Sequence, residues 1–299
     1  MDFYGKFICV KNKSAKNIQA IYNFADDELR PLIVIPCQFE ATMKDNLTLS
    51  MLLVGNGFNV LRFDYTNHAG ISDGDHLEFT LSGAYSDFDD IIEYVKNNMA
   101  YSELGVLGIS LTARVLIKYF AYNESTDVNL FISLVGVINL NRTLDHVLSE
   151  DIIQGRQQGK IYGNRKVVKH VIDIDNYLDD AIINHYTGKS NTKKELKNLK
   201  TNMIAIFAEN DEWVDLSDYY DVFGLDYENI KDKIIIKDAS HKLSKNPKAA
   251  EAAFQFIVKS FSKYLRYKQM IDEDIYKPSK YEIAETIKRE RKMETELCN

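Results

Sequence analysis

A series of short, almost wholly apolar runs constrains this chain more than any other feature. Pro31-Leu32-Ile33-Val34-Ile35-Pro36, Asn59-Val60-Leu61-Arg62-Phe63, Leu104–Leu107, Leu130–Val137, Met203–Ala208 and Lys233–Ile236 each have the length of a strand. Runs of this kind read as buried strands, and stretches of helical periodicity separate them. The alternation predicts an α/β protein with a mostly parallel central sheet and helices on both faces. At 299 residues the chain can bury a large core, as one large domain with insertions or two small ones.

The remaining segments attach to this frame. Lys6–Val10 and Asn17–Phe24 read as an N-terminal hairpin, and Leu47–Val54 as a short helix stopped by Gly55-Asn56-Gly57. Ser82 reads as an N-cap, followed by Ala84, Phe88, Ile91, Ile92 and Val95 on one helical face. Thr112–Tyr122 is the next helix. Between Asn139 and Lys200 the alternation stops, and Asp, Asn, Lys and Tyr predominate. Loops and short helices are expected there, as in a cap inserted over the sheet. Asn246-Pro247 is an N-cap/N1 pair for a helix to about Tyr267, and Tyr281–Leu297 is a highly charged helix. The expected division is a first core part over 1–138, a cap over 139–200, a second core part over 201–267 and a charged helical tail over 268–299.

Three chemical groups stand where apolar runs end: Ser110, Asp211 and His241. Serine, acid, histidine is the chain order of an α/β-hydrolase triad. Six histidines are present (His68, His76, His146, His170, His185, His241), and only His241 follows Asp211. In Leu107-Gly108-Ile109-Ser110-Leu111-Thr112, Gly108 permits a tight strand-to-helix turn, and Thr112 stands where the usual pattern has a second glycine. Ser110 would be the nucleophile, His241 its base, and Asp211 the acceptor that orients the imidazole. Each residue has a plainer reading: a buried strand-end serine, a turn-initiating Asn-Asp, a surface histidine. Glu209 and Asp215 are rival acids; Asp238 lies too near His241 in sequence to be preferred. The oxyanion hole is expected from the backbone N–H of Leu111 and of Phe39, in the loop after the Pro31–Pro36 strand. Cys37 is a rival nucleophile without a predicted elbow, and His68 belongs to a turn that reads as structural.

Composition narrows the function classes. The formal net charge of −7 argues mildly against a general binder of nucleic acid or anionic membranes. No apolar run is long enough to span a bilayer, and Met1–Lys6 does not begin a signal peptide. Cys9, Cys37 and Cys298 form neither a disulfide framework nor a metal spacing, so a cytoplasmic location is expected. No phosphate-cradling glycine loop is present, and no cofactor or metal is expected.

Several stretches resemble one family. They are Phe63-Asp64-Tyr65, His68-Ala69-Gly70-Ile71-Ser72, Glu78-Phe79-Thr80, Ser110-Leu111-Thr112-Ala113-Arg114 and Val135-Gly136-Val137-Ile138-Asn139-Leu140. Thr143-Leu144, Asn210-Asp211-Glu212-Trp213-Val214, Ser240-His241 and Arg289-Glu290-Arg291-Lys292-Met293-Glu294 continue the match. Together they resemble the bacterial bioluminescence acyltransferases, or myristoyl-acyl-carrier-protein thioesterases. The resemblance implies an α/β-hydrolase fold with Ser110 acylated, Asp211 as acid and His241 as base. It also implies a fatty acyl thioester substrate, on acyl carrier protein or CoA, released to water or an acceptor. A fatty-acid reductase, or another acyl-processing enzyme, is the implied downstream partner. Where the family has Gly-Phe-Ala-Arg-Arg-Met, this chain has Gln38-Phe39-Glu40-Ala41-Thr42-Met43. Lys193, Lys194, Lys197 and Lys200 are candidates for docking an acidic carrier. The alternatives are a carboxylesterase or lipase-like enzyme acting on oxygen esters, and a non-catalytic hydrolase-fold binding protein.

Overall fold

In the computed structural model, which describes residues 3–26, 29–123, 127–268 and 271–297, the apolar runs assemble side by side. Eight strands form one sheet in the order β1-β2-β4-β3-β5-β6-β9-β10. These are β1 (Tyr4–Lys11), β2 (Asn17–Phe24), β3 (Leu32–Pro36), β4 (Asn59–Phe63), β5 (Leu104–Ile109), β6 (Val128–Leu134), β9 (Met203–Ala208) and β10 (Ile230–Ile236). Only β1/β2 and β2/β4 pair antiparallel; the other pairs are parallel. The expected N-terminal hairpin is therefore an antiparallel margin on a parallel sheet.

Strand composition explains the two-sided burial. Leu32 and Val34 of β3 point into one apolar layer, whereas Ile33 and Ile35 point into the other. On the first face lie α2 (Leu81–Asn98) and α3 (Leu111–Tyr122), with Phe88, Ile91, Val115, Leu116 and Phe120 against the strands. On the second face lie α1 (Leu47–Gly55) and α9 (Pro247–Tyr264), with Leu53, Ile257, Val258 and Phe261. Each such side chain contributes about 1.5–3 kcal/mol when withdrawn from water. A strand apolar on both sides is stable only when both faces are covered.

Local signals set the helix ends. Asn246 caps α9, accepting from the N–H groups of Lys248 and Ala249, with Pro247 at the first helical position. The cap of α2 is Thr80 rather than Ser82: its hydroxyl accepts from Gly83 N–H, and Ser82 lies inside the first turn. Both residues are good caps in sequence. The extended backbone of Thr80 decides between them.

The stretch between β6 and β9 carries α4 (Leu140–Leu148), α5 (Ile152–Gln157), α6 (Ile174–Ile183) and α7 (Lys189–Lys197). It also holds a small antiparallel hairpin of β7 (Asn164–Val167) and β8 (His170–Asp173), which periodicity did not foretell. After β9 come α8 (Leu216–Phe223) and, beyond α9, α10 (Lys280–Leu297). The charged α10 packs against α1 and β1, and Glu290 and Thr286 are buried. Cys298 lies outside the described residues.

Candidate active site

The chain turns sharply at Ser110, between β5 and α3. Its backbone has φ 56° and ψ −126°, a conformation that costs a non-glycine residue of order 1–3 kcal/mol. Surrounding contacts hold it there. Ser110 N–H donates to Leu134 O at 3.0 Å, and its carbonyl accepts from Val137 N–H at 3.1 Å. Gly108 makes the turn possible. A Cβ there would lie 2.6 Å from Leu116 Cδ1 and 3.0 Å from Phe131 Cε2. Thr112, in the second-glycine position, is buried, and its hydroxyl donates to Cys37 O at 2.8 Å. That bond ties the start of α3 to the loop after β3. Val135, after β6, has φ 45°, so a second strained residue adjoins the turn.

The loops after β9 and β10 bring the other two groups to the serine. His241 Nε2 lies 2.8 Å from Ser110 Oγ. His241 Nδ1 lies 2.9 Å from each Asp211 oxygen. Asp211 Oδ1 also accepts from the N–H groups of Trp213 and Val214, at 2.8 and 2.9 Å. The side chains of His241 and Asp211 are almost fully buried, at 4% and 2% exposure. Trp213 covers the imidazole, with ring centres 4.5 Å apart. The carboxylate selects the tautomer with its proton on Nδ1, which leaves Nε2 to accept from the hydroxyl. The arrangement can therefore take a proton from Ser110 and return it to a leaving group.

Three supports were not evident from the sequence. Glu212 accepts from His241 N–H at 3.0 Å and pairs with Lys245 at 2.5 Å. Lys242 lies over the Trp213 ring and pairs with Glu40 at 3.1 Å, joining the histidine loop to the loop carrying Phe39. The rings of His76 and His170 stack at 4.6 Å, so the β7–β8 hairpin docks beside Phe39. Adjacency of Glu212 to Asp211 and of Lys242 to His241 was the only available signal.

The rival residues have other partners. Glu209 accepts from Asp238 N–H at 2.9 Å. Asp215 caps α8 and pairs with Arg142. Its carboxyl is held below the usual range, chiefly by the Ser217 hydrogen bonds. Cys37 is fully buried, and burial, reinforced by Asp64, pushes its thiol well above the ordinary value. A buried thiol held neutral is a poor nucleophile. His68 is buried among Tyr65, Phe39 and Phe79. Burial lowers its pKa to about 4. Lys193 pairs with Asp221, whereas Lys194, Lys197 and Lys200 are exposed.

Ser110 and His241 open into a cavity of about 290 Å³, which Phe39 and Leu111 also line. One wing is lined by the segment between β6 and β9, at Leu140, Leu144, Val147, Val167, Val168 and Tyr177. The other runs past Thr48 and Leu49 of α1 toward Phe254 of α9. Among the described residues there is no cluster of His, Cys, Asp and Glu suited to a metal ion. No helix among them is long and apolar enough to cross a membrane.

A mostly parallel sheet with a strained serine at the β5–α3 turn, and an acid and a histidine on later strand-end loops, defines the α/β-hydrolase fold. Solved structures agree. Est1E from Butyrivibrio proteoclasticus, with ferulic acid bound, superposes with a TM-score of 0.70 at 14% identity, covering 87% of this chain and 99% of that one. An esterase from Pyrococcus furiosus gives a TM-score of 0.64 at 14% identity, covering 88% and 92%. Within this fold the chain belongs to the acyl transferase family associated with bacterial bioluminescence, whose family description, "Acyl transferase", matches residues 6–299. It is 27% identical to an acyl transferase of Shewanella hanedai over 89% of this chain and 84% of that protein. It is 29% identical to one of Photobacterium phosphoreum over 78% and 75%. Family and fold together identify an enzyme of acyl transfer or hydrolysis.

Proposed function

We propose that this protein is a serine acyl-thioester hydrolase and acyltransferase that works through an acyl-Ser110 intermediate. The observation that carries this reading is the row Asp211–His241–Ser110, linked at 2.9 and 2.8 Å, at the floor of a largely apolar cavity. His241 takes the Ser110 proton as Oγ attacks the thioester carbonyl. The developing oxyanion is met by the N–H groups of Phe39 and Leu111. His241 then protonates the leaving thiol, and water or an alcohol repeats the sequence in reverse to release the chain.

The substrate of this reading is a fatty acyl group on acyl carrier protein or CoA, as the resemblance to the bioluminescence acyltransferases implies. Residues 139–200 serve as the cap, and the wing beneath it holds the chain. Burial there contributes about 0.8 kcal/mol per methylene. Lys194, Lys197 and Lys200 offer positive charge to an acidic carrier. Product passes to an acyl-processing enzyme such as a fatty-acid reductase.

Intact-mass measurement with a series of acyl thioesters tests the mechanism. Wild-type protein should gain one acyl mass that decays to free acid, and Ser110→Ala should fold but gain none. An undiminished adduct in Ser110→Ala would sink the serine assignment. Turnover of oxygen esters with none of thioesters would instead identify a carboxylesterase.

A further inference from the structure

We propose that the groove between α1 and α9 receives the thiol arm of the acyl thioester, and after it the acyl acceptor. This inference rests on the acyl-Ser110 reading. A second cavity, of about 350 Å³, adjoins the first, and Thr48, Ser244 and Phe254 line both. The space at Ser110 therefore adjoins a second space between the two helices, with Phe254 at their shared border. Leu52 of α1 and Ala250 and Gln255 of α9 form its walls, and the linker before α10 closes the far side with Ile275 and Pro278.

A thioester carbonyl held at Ser110 carries two substituents, and the site has two wings. The wing beneath the β6–β9 segment is the more enclosed: Leu140, Leu144, Val167 and Tyr177 are buried, and Val147 and Val168 half-buried. It suits an alkyl chain, which gains from every methylene removed from water. The groove is different. Thr48 and Ser244 are exposed and, with Gln255 and the ion pair of Glu251 and Lys277, set polar groups among apolar walls. A thiol arm of the pantetheine type has amide groups along an apolar stem. Amides are penalised when buried without partners, so such an arm fits the open, mixed wing rather than the closed one.

The order of events leads to the same assignment. Ser110 Oγ bonds to the carbonyl carbon, its proton passes to His241, the C–S bond breaks, and the sulfur takes that proton. The thiol then departs along the groove while the alkyl chain stays in the enclosed wing. The groove is the wing left open to an incoming alcohol. Its O–H proton passes to His241 as its oxygen bonds to the carbonyl carbon. The Ser110 ester bond breaks, and the proton returns to Oγ.

Filling the groove tests this. The measurement is kcat/KM for pantetheine and N-acetylcysteamine thioesters of one acyl chain, in wild type, Ala250→Trp and the milder Ala250→Leu. The long-arm to short-arm ratio should fall about tenfold with Trp, the contact of roughly two methylene groups, and less with Leu. A constant ratio with a shifted chain-length preference would put the alkyl chain in the groove and overturn the proposal. Constancy of both would mean the groove is unused, which also overturns it. Labelling of wild-type Ser110 by the short-arm thioester, followed by mass, reports separately on the acyl-serine reading. Its absence would sink that reading and the groove assignment together, whereas labelling with an unmoved ratio would sink the groove alone.

Discussion

Asp64 and His68 stand four residues apart in one buried turn, and their titrations oppose each other. Burial raises the Asp64 carboxyl to about 6, although the N–H groups of Met43 and Ile71 donate to it. Between pH about 4 and 6 the folded protein keeps a proton that the unfolded chain has lost, so this group's contribution to stability falls as pH rises. Burial lowers His68 to about 4 from an ordinary 6.5. Across that window the unfolded chain binds a proton that the folded protein refuses, so the His68 contribution rises with pH. The two nearly cancel in the wild type. Relative to wild type, His68→Phe should show stability declining from pH 4 to 6, and Asp64→Asn should show it increasing. Urea titrations at stepped pH measure both, and parallel curves for all three proteins would contradict the assignment. Single residues were unevenly legible in sequence. Ser110, Asp211 and His241 were selected by chain order and strand ends, and they lie in one hydrogen-bonded row. Beyond adjacency to Asp211 and His241, nothing local marked Glu212 or the Glu40–Lys242 pair, because their partners are remote in sequence.

At the scale of elements, the apolar runs of β3, β4, β5 and β9 announced themselves because each is buried on both faces. The β7–β8 hairpin did not, since its residues are partly exposed and short of a clear period. The tail shows a similar limit. Its charge reads as a solvated helix, yet Glu290 is buried and pairs with the fully buried Arg62 of β4 at 2.5 Å. Arg62 also donates to Asn23 Oδ1 and Met43 O, at 2.9 and 2.7 Å. A β-strand arginine 228 residues away is invisible to local pattern. Removing one member of a buried pair strands the other, at a cost of about 3–5 kcal/mol. Glu290→Ala should lose stability of that order in chemical denaturation, and Glu290→Gln less, because an amide oxygen can still accept. Equal, small losses for both would mean that Arg62 finds solvent when α10 is altered.

For the whole molecule, the proposed function makes the packing of the β6–β9 segment over the sheet the determinant of acyl-chain fit. Val147 of α4 lines the enclosed wing of the cavity. If that wing holds the acyl chain, Val147→Trp should move preference toward shorter chains, by roughly fourfold in kcat/KM for each methylene excluded. A series of acyl thioesters read by kcat/KM would measure it, and an unchanged profile would place the chain elsewhere. The sequence by itself determined the doubly covered parallel sheet, the positions of α1, α2, α3, α9 and α10, and the order of the serine, acid and histidine. Each of these follows from local periodicity, capping or position at a strand end. Only the tertiary structure decided that His241 reaches Ser110 across 131 residues, that Arg62 holds the tail, and that two cavities meet at Phe254. Those are distances between segments remote in the chain, and packing sets them through all the contacts at once.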